Sequence, residues 1–458
     1  MSVSNLTNCY TGWQYDPDEE MMLTHLQFLR ESNTWSADRL REYQDQELRK
    51  VLDVAYRGCR YYRTLFDKIG FDPLDYAGTQ DLLSIPLLSK EDIKLDSDAF
   101  IVDWADKDAL YTITSGGSTG NPLKVYYDEV FSAKDRAQTY FYMEQQGHHP
   151  KQSRSIRMHG DPIDASLIEN REYGYALNEK KFLLSSQHIT PETLSYYVNA
   201  IETFEPEYIH AYPSAIYRLA CVAEAAGYQF KVRMKCIYTD SEMLYPGQRK
   251  LIERVFDTKV VQTYGHTEGC MIAISVPDSE GMFLLPQAGF AEILDGNGSR
   301  VTEPGGTGEL VVTGFNNHAF PLIRYRTMDI VTLGTEQGRY IHIDHVEGRK
   351  QDFAVDKKGG AVSVAPILFD YNIDWSGVQQ FQIVQSVPGV LNVKICPIEN
   401  SQDFKILEER LRAQLKSGFS DLFEIQIEFV PEIVSTSRGK SRYFVQNIED
   451  TNTQQVKN

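Results

Sequence analysis

The feature that most constrains the fold is a regular alternation of short apolar strands with amphipathic helices between residues 205 and 265. The pattern predicts strands over 206–212, 235–239 and 259–265, and helices over 213–227 and 246–256. Because strands that alternate with helices form parallel sheets covered by those helices, this region predicts an α/β fold.

The ends of these strands indicate where a ligand would bind. In open α/β sheets, ligands bind beyond the carboxyl ends of the parallel strands. Here those ends are Tyr212, residues 239–242 and residues 264–268. The residues at these three places are therefore the first candidates for a site.

The rest of the chain predicts further elements around this α/β region. Apolar residues at helical spacing predict an amphipathic helix over 38–57, and Ser89 is suited to cap a helix. Short strands at 290–294, 308–315 and 340–343, separated by glycine and proline turns, predict an antiparallel or barrel-like β subdomain. The last hundred residues predict a hairpin over 381–395, a helix over 404–416 and a strand over 424–430.

These patterns divide the chain into a large and a small domain. We expect residues 1–348 to form the large N-terminal domain, with helix-covered, mostly parallel sheets and the barrel-like subdomain. Residues 349–450 would form a small C-terminal α+β domain, and the polar residues 451–458 a disordered tail.

Charge and composition exclude several classes of protein. Lys and Arg number 46 against 64 Asp and Glu, which gives a net charge of −18. Proteins that grip nucleic acid or an anionic membrane need clustered positive charge, so neither partner is expected. The N-terminus has no basic flank or apolar run, and the six cysteines are scattered, so we expect a cytoplasmic protein with free thiols.

A stretch rich in glycine and hydroxyl residues, TITSGGSTGNPLK (112–124), is the most unusual motif. Glycines let backbone N–H groups approach a ligand, and hydroxyls and Lys124 add donors and charge for phosphate oxygens. It is not a Walker A loop, which needs a different spacing. Phosphate binding and a surface hairpin are equally good interpretations of this stretch alone.

Three further motifs carry polar groups suited to chemistry. YGHTEG (264–269) offers an aromatic ring, a hydroxyl and a carboxylate that could hold Mg²⁺. In YRTMD (325–329), Asp329 could accept hydrogen bonds from both hydroxyls of a ribose. In STSRGKSR (435–442), Lys440 could act as a point charge. Taken singly, a polar loop, a strand-end salt bridge and a solvated basic turn explain these motifs better.

In conjunction and in this order, the four motifs resemble those of the adenylate-forming superfamily, the acyl-CoA ligases and their relatives. Within it the chain is most similar to the branch of phenylacetate-CoA ligases, coenzyme F390 synthetases and capsule-biosynthesis proteins. Further segments carry the resemblance along nearly the whole chain: 61–94, 211–220, 238–244, 348–352 and 437–443.

The resemblance implies a role for each matching position in the nucleotide site. The β- and γ-phosphates of ATP would lie against Ser115, Gly116, Gly117, Ser118, Thr119, Gly120 and Lys124. The adenine would stack on Tyr264 beside Gly265, with its other side walled by Asp240, Ser241 and Glu242. The ribose hydroxyls would bind Asp329 and Arg349.

The resemblance also implies the catalytic residues and the acid-binding pocket. Thr267 would contact the α-phosphate, Glu268 would hold Mg²⁺, and Lys440 would bridge the carboxylate and the α-phosphate. The acid pocket would be lined by Tyr140, Phe141 and Tyr212, together with Gly265. The small domain would be a mobile lid that turns about Lys350 and Gln351 between two half-reactions.

The function implied is that of an ATP- and Mg-dependent ligase that activates a small carboxylic acid. It would form an acyl- or aryl-adenylate, release pyrophosphate, and pass the acyl group to CoA. One alternative keeps the adenylation but uses an amine, a carrier protein or a sugar as acceptor, or transfers AMP to a hydroxyl. The other is a degenerate fold that serves as a nucleotide sensor or scaffold. A homodimer is the default expectation for the oligomeric state.

Three departures from the family pattern affect these expectations. Met328 stands where the family usually has glycine, and Gln351 stands at a hinge position usually held by Asp or Lys. Relatives in this branch often carry Cys and His ligands for a metal after the motif at Tyr264. Here Cys270 remains, but residues 275–287 offer no matching Cys or His, so no structural zinc is expected.

Overall fold

The structure is a computed structural model. It describes the following residues: 18–114, 123–159, 161, 163–275, 281–334, 340–349, 353–364, 368, 373, 375, 377–397, 404–419, 422–433 and 443–448. The chain divides into two compact units, each built from two segments. The first unit comprises Met1–Gln152 and Gln262–Val346, and the second comprises Ser153–Val261 and Glu347–Asn458.

The α-helices are numbered in chain order. They are α1 (Glu19–Ser32), α2 (Ala37–Gly58), α3 (Arg60–Ile69), α4 (Lys90–Leu95), α5 (Glu129–Gln145), α6 (Ala165–Glu169), α7 (Leu194–Phe204), α8 (Pro213–Ala225), α9 (Pro246–Phe256) and α10 (Phe404–Phe419). Short 3₁₀ turns lie at Pro73–Asp75, Asp81–Ser84, Ser97–Phe100 and Lys107–Ala109.

The strands are numbered in the same way. They are β1 (Tyr111–Thr114), β2 (Lys124–Tyr127), β3 (Ser155–Met158), β4 (Gly174–Asn178), β5 (Lys181–Leu184), β6 (Tyr208–Ala211), β7 (Cys236–Thr239), β8 (Val260–Gly265), β9 (Ile272–Ile274), β10 (Met282–Leu284), β11 (Gly289–Leu294), β12 (Thr307–Gly314), β13 (Tyr325–Leu333), β14 (His342–Arg349), β15 (Phe353–Val355), β16 (Ala361–Ser363), β17 (Val378–Val387), β18 (Val390–Pro397), β19 (Glu424–Phe429) and β20 (Phe444–Gln446).

Two helices of the first unit, α2 and α4, form as their sequence patterns predict. The helix predicted over 38–57 is α2, and its predicted apolar face is buried: Leu40, Leu48, Val51, Leu52 and Ala55 are each at most 1% exposed. Ser89 caps α4 in a reciprocal capping box with Asp92.

The strands after residue 262 in the first unit form an open antiparallel sheet. Their order is β11-β12-β13-β14-β10-β9, and the end of β8 pairs antiparallel with β9. The antiparallel pairing agrees with the prediction, but the barrel-like alternative is wrong, because β11 stands at the edge of the sheet and no closed barrel forms among the described residues. The physical reason is that β10 and β9 extend the sheet beyond β14 instead of letting it close on itself.

The α/β region of the second unit matches the predicted alternation. The strand order is β4-β5-β3-β6-β7, with β5, β3, β6 and β7 parallel and β4 antiparallel at the edge. The register aligns the last residues of three strands, Met158, Ala211 and Thr239. The residues that follow these three positions therefore emerge at one edge of the sheet.

The core of this sheet lies under α7, α8 and α9. It is formed by large apolar side chains that are buried almost completely, among them Tyr197, Ile209, Ile216, Leu219, Ile237, Ile252 and Phe256. Each such side chain contributes roughly 1.5–3 kcal/mol to the free energy of folding, because it is removed from water. The strand ends are thus anchored by a packed core directly behind them.

The C-terminal segment of the second unit has its own small core. The predicted hairpin, helix and strand are β17–β18, α10 and β19, and β20 joins the sheet parallel to β17, in the order β19-β18-β17-β20. One face of α10 buries Leu407, Leu411, Leu415 and Phe419. The domain boundary between residues 348 and 349 stays a prediction.

In the described part of the chain, no helix combines the length and the apolar character that crossing a membrane requires.

Candidate active site

The loop after β8 brings the predicted residues of the YGHTEG motif together in the first unit. The Tyr264 hydroxyl donates a hydrogen bond of 2.6 Å to Asp329 Oδ2 on β13. The Tyr127 hydroxyl donates to the carbonyl of Thr267, which ties this loop to β2. Two predicted motifs, 65 residues apart in sequence, therefore form one polar group.

Glu268 lies buried in this group, with only 7% of its surface exposed. Its Oε1 accepts a 2.8 Å hydrogen bond from the Tyr325 hydroxyl, and its Oε2 lies 3.3 Å from His266 Nδ1. Burial acts to raise the pKa of the Glu268 carboxyl, but the hydrogen bond and positive charge of His266 and the Tyr325 hydroxyl outweigh it. The pKa is lowered to about 2, so Glu268 is ionised.

The donor chemistry of Glu268 fits Mg²⁺. This ion binds oxygen ligands and usually takes one or two carboxylates together with substrate phosphates. An ionised carboxylate fixed by two neighbours supplies such a ligand. Cys270, close by in sequence, is different: burial raises the pKa of its thiol well above the ordinary value, which disfavours the thiolate that a metal would bind. The expectation of no structural zinc at this motif stays a prediction.

Asp329 is held by an irregular bulge in β13. Between the pairs Glu309–Ile330 and Val311–Arg326, three residues of β13 face the single residue Leu310. The Thr327 hydroxyl donates to the Leu310 carbonyl at 2.7 Å and accepts from the Asp329 N–H at 3.1 Å. The bulge thereby turns the Asp329 carboxylate toward Tyr264.

Met328 occupies the strained position of this bulge. Its φ of +63° lies in the left-handed region that glycine adopts at no steric cost, and its side chain is 38% exposed. The departure from the usual glycine therefore places a non-glycine residue in a backbone conformation that glycine favours. The methionine side chain points to solvent at the residue before Asp329.

The glycine-rich motif is described only at its two flanks. The predicted flanking strands are β1 and β2, which pair antiparallel, with Thr114 opposite Lys124. Lys124 is exposed, and its Nζ lies 4.9 Å from the centre of the Tyr126 ring. The predicted phosphate-binding residues between them lie outside the described residues: Ser115, Gly116, Gly117, Ser118, Thr119 and Gly120.

A second polar group lies in the second unit, at the aligned ends of β3, β6 and β7. Asp240, directly after β7, has Oδ2 2.7 Å from His210 Nε2 and Oδ1 3.5 Å from His159 Nε2. The ring of Tyr212, directly after β6, lies 4.4 Å from the His159 ring. These residues occupy the edge where the strand register predicts a ligand.

The neighbours of Asp240 on the same loop have separate roles. Ser241 adopts a left-handed conformation with φ of +66°, which turns the chain between β7 and α9. Glu242 accepts a 2.9 Å hydrogen bond from the backbone N–H of Ser214 in the first turn of α8. Of the three residues predicted to wall the adenine, Asp240 is directed at the histidines and Glu242 at a helix end.

The other predicted residues are placed as follows. Phe141 on α5 is buried in the first unit, Tyr140 beside it is half-buried, and Gly265 ends β8, paired with Ile272. Arg349 ends β14, and only its main chain is described. Lys440 and the predicted hinge residues Lys350 and Gln351 lie outside the described residues.

Several side chains in these two groups were missed by the sequence analysis. Tyr325 and His266 belong to motifs that were identified, yet neither received a role. His159 and His210 received none at all. A signal existed for the histidines: each lies at or next to the carboxyl end of a strand in the α/β region, as Asp240 does.

Comparisons with known proteins agree with these features. The model of the family described as AMP-binding enzyme matches residues 79–318, and that of the CapK C-terminal domain matches residues 356–447. The chain is 25% identical to protein CapK of Staphylococcus aureus, over 92% of this chain and 91% of that protein. It is 25% identical to phenylacetate-coenzyme A ligase of Pseudomonas putida, over 70% and 73% of the two chains.

A solved structure shares the fold. The 2-hydroxyisobutyryl-CoA ligase in its postadenylation state, in complex with R3-HIB-AMP, superposes with a TM-score of 0.69 at 16% identity. The superposition covers 90% of each chain. The α/β architecture with a small C-terminal domain is therefore that of the acyl-CoA ligases.

Proposed function

The chain belongs to the AMP-binding enzyme family, in its phenylacetate-CoA ligase and CapK-like branch. On this basis we propose that it activates a small carboxylic acid as an acyl- or aryl-adenylate and passes the acyl group to CoA. The observation that carries the proposal is the buried, ionised Glu268 fixed by Tyr325 and His266. Glu268 lies on the loop directly after β8, and Tyr264 in that strand contacts Asp329. A carboxylate that can bind a metal ion, together with a tyrosine and an aspartate that can bind a nucleoside, suits ATP as the ligand.

The proposed chemistry follows from charge. When a carboxylate attacks the α-phosphate of ATP, two anions approach one another, and pyrophosphate leaves. Mg²⁺ bound by Glu268 would neutralise phosphate charge. Thr267 would contact the α-phosphate, and Lys440 would stabilise the charge that develops between the acid and that phosphate. Asp329 and Arg349 would bind the ribose, and Tyr264 would stack on the adenine.

The remaining expectations complete the proposed site. The residues 115–120 with Lys124 would bind the β- and γ-phosphates, and Tyr140, Phe141 and Tyr212 would contribute to the acid pocket. Residues 349–450 would act as a lid that shields the adenylate from water and then admits the acceptor.

The first experiment is carboxylate-dependent exchange of pyrophosphate into ATP, over a panel of aryl acids, fatty acids and amino acids. Exchange with one class supports adenylation and names the substrate class. Lys440→Ala is expected to reduce exchange by at least about 100-fold, because a transition-state cation is lost. Lys416→Ala, at an exposed position of α10, is the matched control and should exchange like the parent.

Two results would contradict the proposal. Exchange that persists at the parental rate in Lys440→Ala would remove the assigned role of that lysine. Silence across the whole panel, from folded protein that still binds ATP, would favour a nucleotide sensor or scaffold.

A second candidate keeps adenylation and changes the acceptor. The C-terminal segment matches the CapK C-terminal domain, whereas the match to the Pseudomonas putida phenylacetate-coenzyme A ligase covers 70% of the chain. An amine, a carrier protein, a sugar or another hydroxyl would then replace CoA. Product mass with and without CoA separates the two candidates, since turnover that ignores CoA would exclude a CoA ligase.

A further inference from the structure

Three side chains that can bind a metal converge at the carboxyl edge of the parallel strands in the second unit. His159 follows β3, His210 is the penultimate residue of β6, and Asp240 follows β7. One potential ligand atom from each lies within 4.8 Å of the other two. Among the described residues, they are the one such group identified.

The fold itself brings these residues together. The register of the three strands pairs Met158 with Ala211, and Ala211 with Thr239, so the positions beyond them lie side by side. The two imidazole rings lie 4.3 Å apart at 74°, so both Nε2 atoms can face the same carboxylate. Strand pairing and a packed core therefore position His210 within its strand, and His159 and Asp240 at the first residue after theirs.

The surroundings support a binding site. His159 is 4% exposed and packs against Tyr212, which restricts its ring. The side chain of Asp240 is 27% exposed, which leaves a path from solvent. The Asp240 carboxylate adds an anionic oxygen ligand to the two imidazole nitrogens.

We propose that His159, His210 and Asp240 form a site for one divalent transition-metal ion, with Zn²⁺ as the reference ion. Two imidazoles and one carboxylate suit a borderline metal better than Mg²⁺, which prefers oxygen ligands. At metal–ligand distances of about 2.1 Å, ligand atoms of a tetrahedral ion lie about 3.4 Å apart. The two nitrogen–oxygen separations observed here, 2.7 Å for His210 and 3.5 Å for His159, bracket this value. Small side-chain movements would therefore bring the three ligand atoms to the spacing that the ion requires.

The three ligands leave one coordination position open. Structural zinc sites are usually closed by four protein ligands, whereas sites with three keep a position for water or substrate. The three side chains themselves lie at the strand edge where ligands of α/β sheets bind. The fourth coordination position would be filled by an oxygen ligand, either water or an oxygen atom of a bound small molecule.

This site is distinct from the one that the family pattern suggests. The expectation of no structural zinc concerned Cys270 and the residues after it, in the first unit. The cluster proposed here uses none of those residues, and Glu268, the proposed Mg²⁺ ligand, also lies in the first unit. Asp240 is also one of the residues expected to wall the adenine, so the two proposals share this residue. Zinc binding is measured without nucleotide and adenylation by pyrophosphate exchange, so each proposal can fail without the other.

The test uses the full chain, stripped with a chelator and titrated with Co²⁺ and, separately, with Zn²⁺ in competition with a chromophoric chelator. The expected result is one equivalent of tightly bound Zn²⁺ and the intense visible absorption of low-coordinate Co²⁺. Asp240→Asn and His210→Gln should each weaken Zn²⁺ binding by at least about 100-fold. His188→Gln is the matched control, since His188 lies in the same unit and bonds Ser185 instead.

Thermal unfolding provides a second measurement, because a variant that is merely less stable can still be tested for stabilisation by Zn²⁺. Zn²⁺ should raise the melting temperature of the parent and of His188→Gln, but not that of Asp240→Asn. Absence of a stoichiometric site in the parent, or parental affinity in both ligand variants, would overturn the proposal. The three groups would then be a hydrogen-bonded carboxylate–imidazole cluster without a metal.

Discussion

At the scale of single residues, the orientation of Glu268 depends on the hydroxyl of Tyr325. Tyr325→Phe removes the 2.8 Å hydrogen bond to Oε1 while keeping the ring in place. A hydrogen bond to a charged group contributes about 1.5–3 kcal/mol, so we expect pyrophosphate exchange to fall by about 10-fold or more. The concentration of Mg²⁺ needed for half-maximal exchange should rise as well.

The matched control for this variant is Tyr340→Phe. The Tyr340 hydroxyl donates at a similar distance, 2.8 Å, but to Asn33 and not to a residue of the candidate site. It should exchange at the parental rate. Equal losses in the two variants would mean that removal of a tyrosine hydroxyl acts through general stability and not through Glu268.

Asp135 on α5 carries a carboxyl whose titration should be visible in stability. Burial raises the pKa of Asp135 from 3.8 to about 7, opposed in part by the charge of Arg136. The unfolded chain releases this proton near pH 4 and the folded chain only near pH 7. Stability is therefore expected to fall as pH rises between these values, and to level off above them.

Asp135→Asn should remove this dependence. The variant should match the parent near about pH 4 and become more stable than it above about pH 7, by at most about 4 kcal/mol at 1.4 kcal/mol per pKa unit. Urea midpoints across this range measure the difference, with Glu409→Gln, an exposed carboxylate on α10, as control. A constant difference at all pH values would show that Asp135 does not titrate in this window.

The candidate residues that the sequence could offer lie in short motifs that resemble those of a known family, among them Glu268, Asp329 and Tyr264. Their roles stay predictions. Tyr325 and His266 could not be assigned, because their role is to orient Glu268, and Tyr325 does so across 57 residues of sequence. His159 and His210 became a group only through strand register, which a single sequence does not specify.

At the scale of elements, the bulge in β13 makes a residue-specific prediction about strain. A non-glycine residue at positive φ costs about 1 kcal/mol, and Met328 adopts φ of +63° with an exposed side chain. Met328→Gly should therefore stabilise the protein, by up to about 0.5 kcal/mol after the greater flexibility of glycine in the unfolded chain is subtracted. Urea unfolding measures the change.

Met328→Ala separates the backbone effect from the side chain. It removes the thioether but keeps the Cβ atom that causes the strain, so it should give no comparable gain. If alanine stabilises as much as glycine, the benefit comes from removing an exposed apolar side chain and the interpretation of strain is wrong.

Helix α8 depends on a cap from outside its own segment. Its N-cap residue, Tyr212, makes no side-chain capping bond, and the Glu242 carboxylate instead accepts from the Ser214 N–H. Glu242→Ala should destabilise the protein by about 1–2 kcal/mol, because an N-terminal acceptor and a favourable charge at the helix dipole are both lost. Glu242→Gln keeps an acceptor and should lie in between.

Thermal unfolding of the two variants tests this cap. Glu179→Ala, at an exposed position between β4 and β5, provides the control for loss of an ordinary surface carboxylate. If Glu242→Ala and the control have the same melting temperature, the hydrogen bond to Ser214 contributes nothing to the stability of the helix.

The alternation of strands and helices in 205–265 could be predicted because period-2 and period-3.6 patterns differ over these lengths. Helix α9 has the predicted bounds, and strand β8 begins one residue later than predicted. The barrel-like subdomain was predicted wrongly because closure depends on which strands pair, and β10 extends the sheet at β14. The bulge in β13 opposite Leu310 could not be predicted either, since it arises from the pairing of β12 with β13.

At the scale of the whole molecule, a net charge of −18 opposes the approach of polyanionic ligands such as ATP and CoA. Salt screens this repulsion: the Debye length shortens from about 30 Å at 0.01 M to about 8 Å at 0.15 M. We therefore expect the dissociation constant of MgATP, measured by calorimetry at constant free Mg²⁺, to fall by about twofold across this range. A protein that binds phosphates through a basic surface shows the opposite trend.

The control is the same titration with adenosine, which carries no charge and should bind with the same affinity at both salt concentrations. A dissociation constant for MgATP that rises with salt would contradict the prediction. Local cations such as Lys124 and Lys440 would then outweigh the field of the whole chain at the phosphates. The sign of the salt dependence thus decides whether nucleotide binding is governed by the acidic molecule or by a few basic residues within it.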